Sequence, residues 1–217
     1  MARLVLDRHR PTMPELLARV PRRLVIGLAV LAGLLLAGLV AARLAPGEPS
    51  RVFVHRAEPP FNFVYGERLT PVDARRRGEL VALEEQRGEL FIQSFAVRAV
   101  ALPAHRPGTV GGVMPIVGDA EIGALARRFD DFELIAEGKA RINEVPGYQV
   151  IFRARLGERR LYGRVVLLPE PVPGSRRAVA LELLGTPVSG AANARDVGNN
   201  GVLKPPLRSF RFGLERP

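Results

Sequence analysis

Hydrophobic residues are most concentrated in one run, Leu24–Ala42, which reads LVIGLAVLAGLLLAGLVAA and has no charged side chain. As a helix, these nineteen residues would extend about 28 Å at about 1.5 Å per residue, close to the hydrocarbon thickness of a bilayer. The run therefore predicts a single transmembrane helix. The chain then divides into a basic cytoplasmic segment over 1–23, the transmembrane helix within 24–45, a linker over 46–57 and an extracytoplasmic domain over 58–217.

Arginine is unevenly distributed around this run. Six arginines precede it and three follow it in a comparable length: Arg3, Arg8, Arg10, Arg19, Arg22 and Arg23, against Arg43, Arg51 and Arg56. The positive-inside rule predicts a single-pass protein of the cell membrane, with its N-terminus in the cytoplasm and its C-terminal domain outside. A signal peptide cleaved near Val40-Ala41-Ala42 is the alternative, but the hydrophobic region of such a peptide is usually only about 7–15 residues long.

Beyond the linker, apolar and polar residues alternate in short stretches that predict β-strands. Phe61–Tyr65 alternates as a half-buried strand does. Glu79–Glu85 and Glu89–Ala101 predict a hairpin around Gly88, which supplies the positive φ of a tight turn. We expect the second arm to be covered on both sides. Three of its residues are assigned to one face, namely Phe91, Phe95 and Val97.

A helix is predicted over 119–129. Asp119 is a suitable N-cap. Four apolar residues follow at the spacing of one buried helical face: Ile122, Leu125, Ala126 and Phe129. The preceding residues, 102–115, are rich in proline and glycine and are expected to form a long loop.

The clearest β pattern follows this helix and predicts a four-stranded antiparallel meander. The strands are expected at Phe132–Ile142, Tyr148–Leu156, Leu161–Leu168 and Val179–Leu183, with a type II turn at Val145-Pro146-Gly147-Tyr148. Asn193–Val197 predicts a short helix, and Leu207–Phe212 a closing strand. These elements predict an α+β domain with a largely antiparallel sheet.

Composition excludes several kinds of chemistry. The chain has no cysteine, which rules out disulfides, thiolate metal sites, a cysteine nucleophile and a lipid-modified N-terminal cysteine. Its three histidines, His9, His55 and His105, are scattered, so no metal site is predicted. The net charge of +10 comes almost entirely from arginine, a bias typical of GC-rich coding sequences, so no nucleic-acid partner is predicted.

No catalytic or cofactor-binding residues are predicted. Ser94 lies within an expected strand, and Ser175, Ser189 and Ser209 lack the glycine pattern of a nucleophile elbow. The adjacent pairs Glu84-Glu85 and Asp130-Asp131 point apart in a strand or turn, so we interpret them as solvated carboxylates. A non-enzymatic module is therefore expected. A cell-envelope hydrolase and a protein that binds a small ligand or a lipid are the alternatives.

The order of elements resembles a known fold. The residues that carry this resemblance are Phe61–Tyr65, the helix before Phe132, the stretch from Glu137 to Tyr148, and Ser209–Phe212. Over about residues 58–214 the chain resembles the PsbP-like α/β/α sandwich, which includes exported lipoproteins of the LpqN type. It also resembles an uncharacterised membrane-anchored family of GC-rich, actinobacterial-type genomes. The resemblance implies an assembly or binding module without a common catalytic set, although the lipoprotein cysteine is missing.

Partner contacts are predicted at basic and loop residues. Four arginines flank the meander and are candidates for one basic patch: Arg159, Arg160, Arg176 and Arg177. Loops 102–118 and 169–176 are the expected recognition loops. The bilayer is one expected partner, and another envelope protein or an acidic glycan is the other. A weak homodimer through the small residues Ala29, Gly33 and Ala37 of the membrane segment is also considered.

Overall fold

The computed structural model describes residues 50–73 and 78–215, together with Leu31 and Gly33, which are helical. The chain divides into two compact units, Met1–Gly47 and Glu48–Pro217. Apart from Leu31 and Gly33, the predicted membrane segment and the arginines before it lie outside the described residues, as does the small-residue face at Ala29 and Ala37. Among the residues that are described, no helix is both long and apolar enough to span a bilayer.

The second unit contains ten strands and two helices within the described ranges. In chain order they are β1 Ser50–His55, β2 Phe61–Gly66, β3 Thr70–Pro71, β4 Glu79–Arg87, β5 Leu90–Ala101, α1 Val110–Arg128, β6 Asp130–Ile142, β7 Val145–Leu156, β8 Arg159–Pro169, β9 Arg177–Gly185, α2 Lys204–Ser209 and β10 Arg211–Phe212. Short 3-10 turns at Pro187–Ser189, Ala194–Asp196 and Gly201–Leu203 lie between β9 and α2.

The strands form two antiparallel sheets. The larger has seven strands in the order β3-β4-β5-β9-β8-β7-β6, and the smaller has three in the order β1-β2-β10. One apolar core, which includes Phe63, Phe95 and Phe210, lies between the large sheet and the layer formed by the small sheet and α2. A second core, which includes Leu125 and Phe152, lies between the large sheet and α1. The predicted α+β class is confirmed, but the α/β/α layering is incomplete because strands form much of one outer layer.

Several predicted elements are present. Phe61–Tyr65 is the buried strand β2, and the hairpin around Gly88 is β4–β5. The four-stranded meander is β6–β7–β8–β9, paired through neighbouring antiparallel ladders. Their alternation is local, because each strand presents every second side chain to one core. Asn193 accepts a hydrogen bond from the Arg195 amide and caps the predicted short helix, which is a 3-10 turn.

The predicted linker, 46–57, is wrong over its second half. Ser50–His55 is the strand β1, which pairs with β2 so that Phe53 lies opposite Phe63. The rings of these two phenylalanines are 5.1 Å apart. The segment has only three apolar residues, Val52, Phe53 and Val54, and they do not alternate with polar ones, so its own pattern does not indicate a strand. Pairing with β2 and the packing of Phe53 against the core stabilise it.

The helix α1 starts at Val110, well before the predicted position at Asp119. Pro115 lies inside it, beyond the first turn, where its missing amide removes the intrahelical bond to the Gly111 carbonyl. The buried face consists of Met114, Val117, Gly118, Glu121 and Leu125. Ala126, assigned to that face from the sequence, is exposed. Packing on the sheet therefore outweighs the helix-breaking composition of 110–115.

The turn between β6 and β7 is also displaced from its predicted position. It consists of Asn143 and Glu144, and Val145–Tyr148 belongs to β7. Asn143 adopts a φ of +50°, which asparagine tolerates, and its amide donates to the Phe210 carbonyl at 2.6 Å. Gly147 instead allows β7 to lie close to β8, since a Cβ there would lie 2.3 Å from the Leu167 carbonyl oxygen.

Two further corrections concern β5 and the C-terminal segment. Phe91 packs in the core under α1 and not with Phe95, because a bulge between the pairs Glu85–Gln93 and Gln86–Phe91 reverses the alternation. The predicted closing strand over 207–212 is mostly the helix α2, with prolines in its first turn. Only Arg211–Phe212 pairs with β2 as a strand.

Candidate functional site

An open cleft of about 670 Å³ lies between the N-terminal half of α1 and the β6–β7 hairpin. We call it the hairpin cleft. Its lining is mostly apolar and comes from both elements and from the end of β8: Val110, Gly111, Met114, Pro115, Gly138, Lys139, Ala140, Arg141, Pro146, Gly147, Tyr148 and Pro169. The volume is within the range of about 300–1,000 Å³ that is typical of ligand pockets.

The cleft begins where α1 lifts away from the hairpin. At Gly118 the helix touches the ring of Tyr148 so closely that a Cβ there would lie 2.6 Å from the Tyr148 Cε1 atom. Towards the N-terminus, the half-buried Val110 and the exposed Pro115 border the cleft, and the buried Met114 forms part of its floor. Gly118 therefore sets the closest approach of helix and hairpin, and with it one end of the cleft.

Ion pairs hold the rest of α1 to the sheet. Arg98 of β5 donates to both carboxylate oxygens of Glu121 at 2.6 Å. Arg128 makes a bidentate pair with Glu182 of β9, at 2.7 and 3.0 Å. The side chain of Glu182 is only 5% exposed, so its charge requires compensation. These two pairs fix the helix beyond Gly118, and its N-terminal half is left to border the cleft.

A smaller groove of about 260 Å³ adjoins the cleft and shares Val110, Pro146 and Pro169 with it. It is lined by the loops 105–110 and 169–175, which include three of the chain's prolines in alternation, Pro169, Pro171 and Pro173. The loop after β8 is held in place by Glu170, which accepts from Arg177 Nε at 2.9 Å and from Ser175 Oγ at 2.5 Å. The predicted recognition loops therefore extend the cleft, although 110–118 belongs to α1.

The charges at the cleft are unbalanced. Lys139 and Arg141 are the only charged residues in its lining, and neither makes an ion pair within the described part of the chain. Glu170, in the adjoining groove, is matched by Arg177. Burial tends to raise the pKa of Glu170, but hydrogen bonds from Arg177 and Ser175 outweigh it and lower that pKa. The cleft thus combines apolar walls with two cationic side chains that make no ion pair within the described residues.

Tyr148 is the one phenol in the cleft. Burial raises its pKa, and so does the hydrogen bond that its hydroxyl donates to the Glu137 carboxylate at 3.1 Å. It therefore stays neutral at physiological pH and keeps its ring against Gly118. Tyr148 therefore contributes the face of its ring to the cleft wall and adds no charge.

The four predicted contact arginines do not form one patch. Arg159 and Arg160 begin β8, whereas Arg177 begins β9, and β8 and β9 are antiparallel. The two pairs thus lie at opposite ends of the sheet. Arg177 is engaged with Glu170 and also with Glu58, and Arg176 donates to the Leu102 carbonyl at 3.3 Å. A contact role stays a prediction for each pair separately.

Several serines and glutamates that were considered as catalytic candidates form hydrogen bonds within the domain. Ser175 donates to Glu170, and Ser209 donates to the Pro205 carbonyl at 2.7 Å. Glu85, interpreted as solvated, is instead buried, because Arg68 and Gln93 each donate to it at 2.5 Å. Across 50–73 and 78–215, no group of three His, Asp or Glu side chains is arranged to hold a metal ion.

Sequence analysis missed the cleft residues Lys139, Arg141 and Tyr148 as a site. Lys139 and Arg141 are the outward-facing positions of an alternating strand, which ordinarily indicate only solvent exposure. The available signal was the clustering of prolines and glycines at 107–115, 146–147 and 169–174, because all three clusters border the cleft or the adjoining groove.

No family model and no curated protein matches the chain. Solved structures of other proteins are similar to it in fold. The solution structure of cyanobacterial PsbP (CyanoP) from Synechocystis sp. PCC 6803 aligns with a TM-score of 0.54 at 14% identity, over 78% of this chain and 95% of that one. The Ran-binding protein Mog1p from Saccharomyces cerevisiae aligns with a TM-score of 0.50 at 8% identity, over 76% and 96%. At these identities the likeness establishes the fold, and the chain therefore carries a PsbP-like domain.

Proposed function

We propose that the second unit is a non-enzymatic binding or assembly module that recognises its partner in the hairpin cleft. We further propose that Leu24–Ala42 anchors it as a single transmembrane helix, with the module outside the cytoplasm, as in a membrane-anchored family of the actinobacterial type. The observation that carries the proposal is the apolar cleft whose only lining charges are Lys139 and Arg141.

This lining defines the chemistry of the partner. Met114, Val110 and the prolines offer apolar contact, and the two cations favour a nearby carboxylate. A segment of another envelope protein with an apolar side chain beside an acidic one matches both features. The Ran-binding protein Mog1p supports the idea that this fold can serve protein recognition. The bilayer and an acidic glycan are the other candidate partners, and each would meet the cations alone.

Site-specific photo-crosslinking in intact cells tests the proposal. A benzoylphenylalanine probe at Val172, beside the cleft, should trap a discrete partner, whereas a probe at Leu156 should not. Val172 and Leu156 have 52% and 56% exposure, so the control matches in accessibility and differs in place. The Arg141→Glu and Val110→Glu substitutions should each abolish the crosslink at Val172; Val110 lines both the cleft and the adjoining groove and is only half-buried.

Four results would contradict this function. Equal crosslinks from Val172 and Leu156 would show nonspecific contact, and a crosslink insensitive to both substitutions would place the partner elsewhere. Loss with Arg141→Glu but not with Val110→Glu would indicate an acidic glycan or the bilayer. Turnover of an ester or peptide by the purified chain, abolished by a serine-to-alanine substitution, would favour the hydrolase alternative.

A further inference from the structure

The outer strand β6 has a regular and unpaired edge. It ends the seven-stranded sheet, and within the described ranges no strand pairs with its outer side. Register shifts disturb its first half, between the pairs at Asp130 and Glu133 and between those at Leu134 and Ala136. From Ala136 to Ile142 its pairing with β7 is continuous. This second half therefore presents a straight row of backbone groups, which is a template for another strand.

The turn determines which backbone groups point outwards. Asn143 and Glu144 form a two-residue turn, so Ile142 and Val145 flank it and form a hydrogen-bonded pair. Hydrogen-bonded and non-hydrogen-bonded pairs alternate along an antiparallel ladder. The even positions of β6 therefore bond to β7. Glu137, Lys139 and Arg141 direct their amides and carbonyls to the free edge.

The sequence of this edge is complementary to itself. If a second β6 strand runs antiparallel about a two-fold axis at Gly138, Glu137 of each copy lies opposite Lys139 of the other. Ala136 then lies opposite Ala140. A shift of the axis to residue 137 places Glu137 opposite itself, and a shift to residue 139 places Lys139 opposite itself. Among the axes that keep the pairing within the regular half, Ala136–Ile142, only the axis at Gly138 gives attractive cross-strand charges without a repulsive pair.

Gly138 suits the position on the axis. Because Gly138 directs its amide and carbonyl towards β7, it would form a non-hydrogen-bonded pair with Gly138 of a second β6 strand, and opposite Cα atoms of such pairs approach to about 4.5 Å. Its φ of +148° is one that L side chains rarely adopt, and a Cβ built on it would meet no atom within 4 Å. The backbone conformation therefore favours glycine at this point, and the space beside it is open to a second strand. Glycine in a strand interior is typical of sites where another backbone approaches closely.

We propose that the domain forms a two-fold symmetric dimer by pairing β6 with β6 through Ala136–Ala140, with the axis at Gly138. The pairing joins two seven-stranded sheets into one and buries both free edges. Its partner is a second copy of this chain, selected by two reciprocal Glu137–Lys139 pairs. This dimer is separate from the small-residue face of the membrane segment and does not depend on the function proposed for the cleft.

Charge exchange tests the register. For the full chain in detergent micelles, Lys139→Glu or Glu137→Lys alone should weaken the dimer roughly tenfold or more, because both cross-strand pairs become repulsive. The double variant Glu137→Lys/Lys139→Glu should restore the dimer. Arg141→Glu is the matched control, since Arg141 faces Ile135 across the axis and should change dimerisation little.

Disulfide trapping tests the geometry independently, because the chain has no cysteine of its own. Ala136→Cys in one tagged copy and Ala140→Cys in another should crosslink on co-expression, since such pairs lie within the Cα range of about 4.4–6.8 Å for a disulfide. Two copies that both carry Ala136→Cys should crosslink far less. Equal crosslinking of the two mixtures, failure of the double charge exchange to restore the dimer, or a monomer at all concentrations would overturn the proposal.

Discussion

The contact between Gly118 and Tyr148 predicts opposite outcomes for the same substitution at two positions of α1. Replacing a helical glycine by alanine stabilises a helix by about 1 kcal/mol. At Gly123 the new Cβ would meet only the guanidinium end of Arg127, at 3.5 Å, so this gain should be kept. At Gly118 the Cβ would lie 2.6 Å from Tyr148 Cε1 and 2.8 Å from Tyr148 Cδ1, which is too close without a shift of helix or ring.

The sizes of the overpacking cost and of the helix-propensity gain determine whether each substitution raises or lowers the free energy of unfolding. Overpacking of this kind costs about 1–3 kcal/mol. If overpacking at Gly118 costs about 2 kcal/mol and the helix propensity of alanine gains about 1 kcal/mol, Gly118→Ala should lower the free energy of unfolding by about 1 kcal/mol. Gly123→Ala, which has only the gain, should raise it by about the same amount. For a unit of this size, a gap of about 2 kcal/mol corresponds to about 4–8 °C in Tm. Thermal melting of the full chain in micelles, followed by circular dichroism, measures it.

A double-mutant cycle assigns the cause. Tyr148→Ala removes the ring, and in that background Gly118→Ala should stabilise the domain as Gly123→Ala does. The coupling between the Gly118 and Tyr148 substitutions should then be about 2 kcal/mol. The reasoning is refuted if Gly118→Ala already stabilises the wild-type chain, or if its effect is the same with and without the Tyr148 ring.

Three other predictions follow from the charges. Arg128→Met should lower the free energy of unfolding by about 2–4 kcal/mol in urea titration because buried Glu182 loses a bidentate partner, while Arg127→Met should change it by less than about 0.5; equal effects would contradict this. Because the pKa of Glu170 is lowered in the folded state, its ionised carboxylate contributes fully to the free energy of unfolding above the ordinary pKa of about 4.3, and this contribution is lost as the pH falls through the lower folded value. Glu170→Gln should therefore make the free energy of unfolding less dependent on pH, and only on the acid side. An identical acid limb would show that Glu170 contributes nothing. For topology, protease added to intact spheroplasts should remove a C-terminal tag, and a tag protected until lysis would reverse the predicted orientation.

Local patterns were sufficient for much of the fold. The strands β6 to β9 follow from alternation, because a half-buried strand shows its two faces in its own residues. The hairpin at Gly88 follows from turn chemistry. The membrane anchor and the orientation also rest on local patterns, and they remain predictions because their residues lie outside the described part.

Local patterns failed where a distant neighbour decided the outcome. The sheet makes 110–115 helical despite two glycines and a proline, since Met114 is buried against it. A bulge opposite Glu85 moves Phe91 to the other core, and no pattern within β5 shows the extra residue. The residues beside Glu85 in the sequence likewise do not indicate its burial, because its partners, Arg68 and Gln93, come from elsewhere in the chain.

The candidate site depended on tertiary structure almost entirely. Proline and glycine content indicated recognition loops, but the cleft exists because Gly118 and Tyr148 fix where α1 meets the hairpin. The direction of β8 and β9 separated the predicted arginine patch into two pairs. By itself, the sequence determined which residues are apolar, where strands alternate and where turns are possible, since these depend on neighbours along the chain. Only the tertiary structure decided which faces meet and which charges are left without a partner, because both depend on strand register and helix placement between residues far apart in the chain.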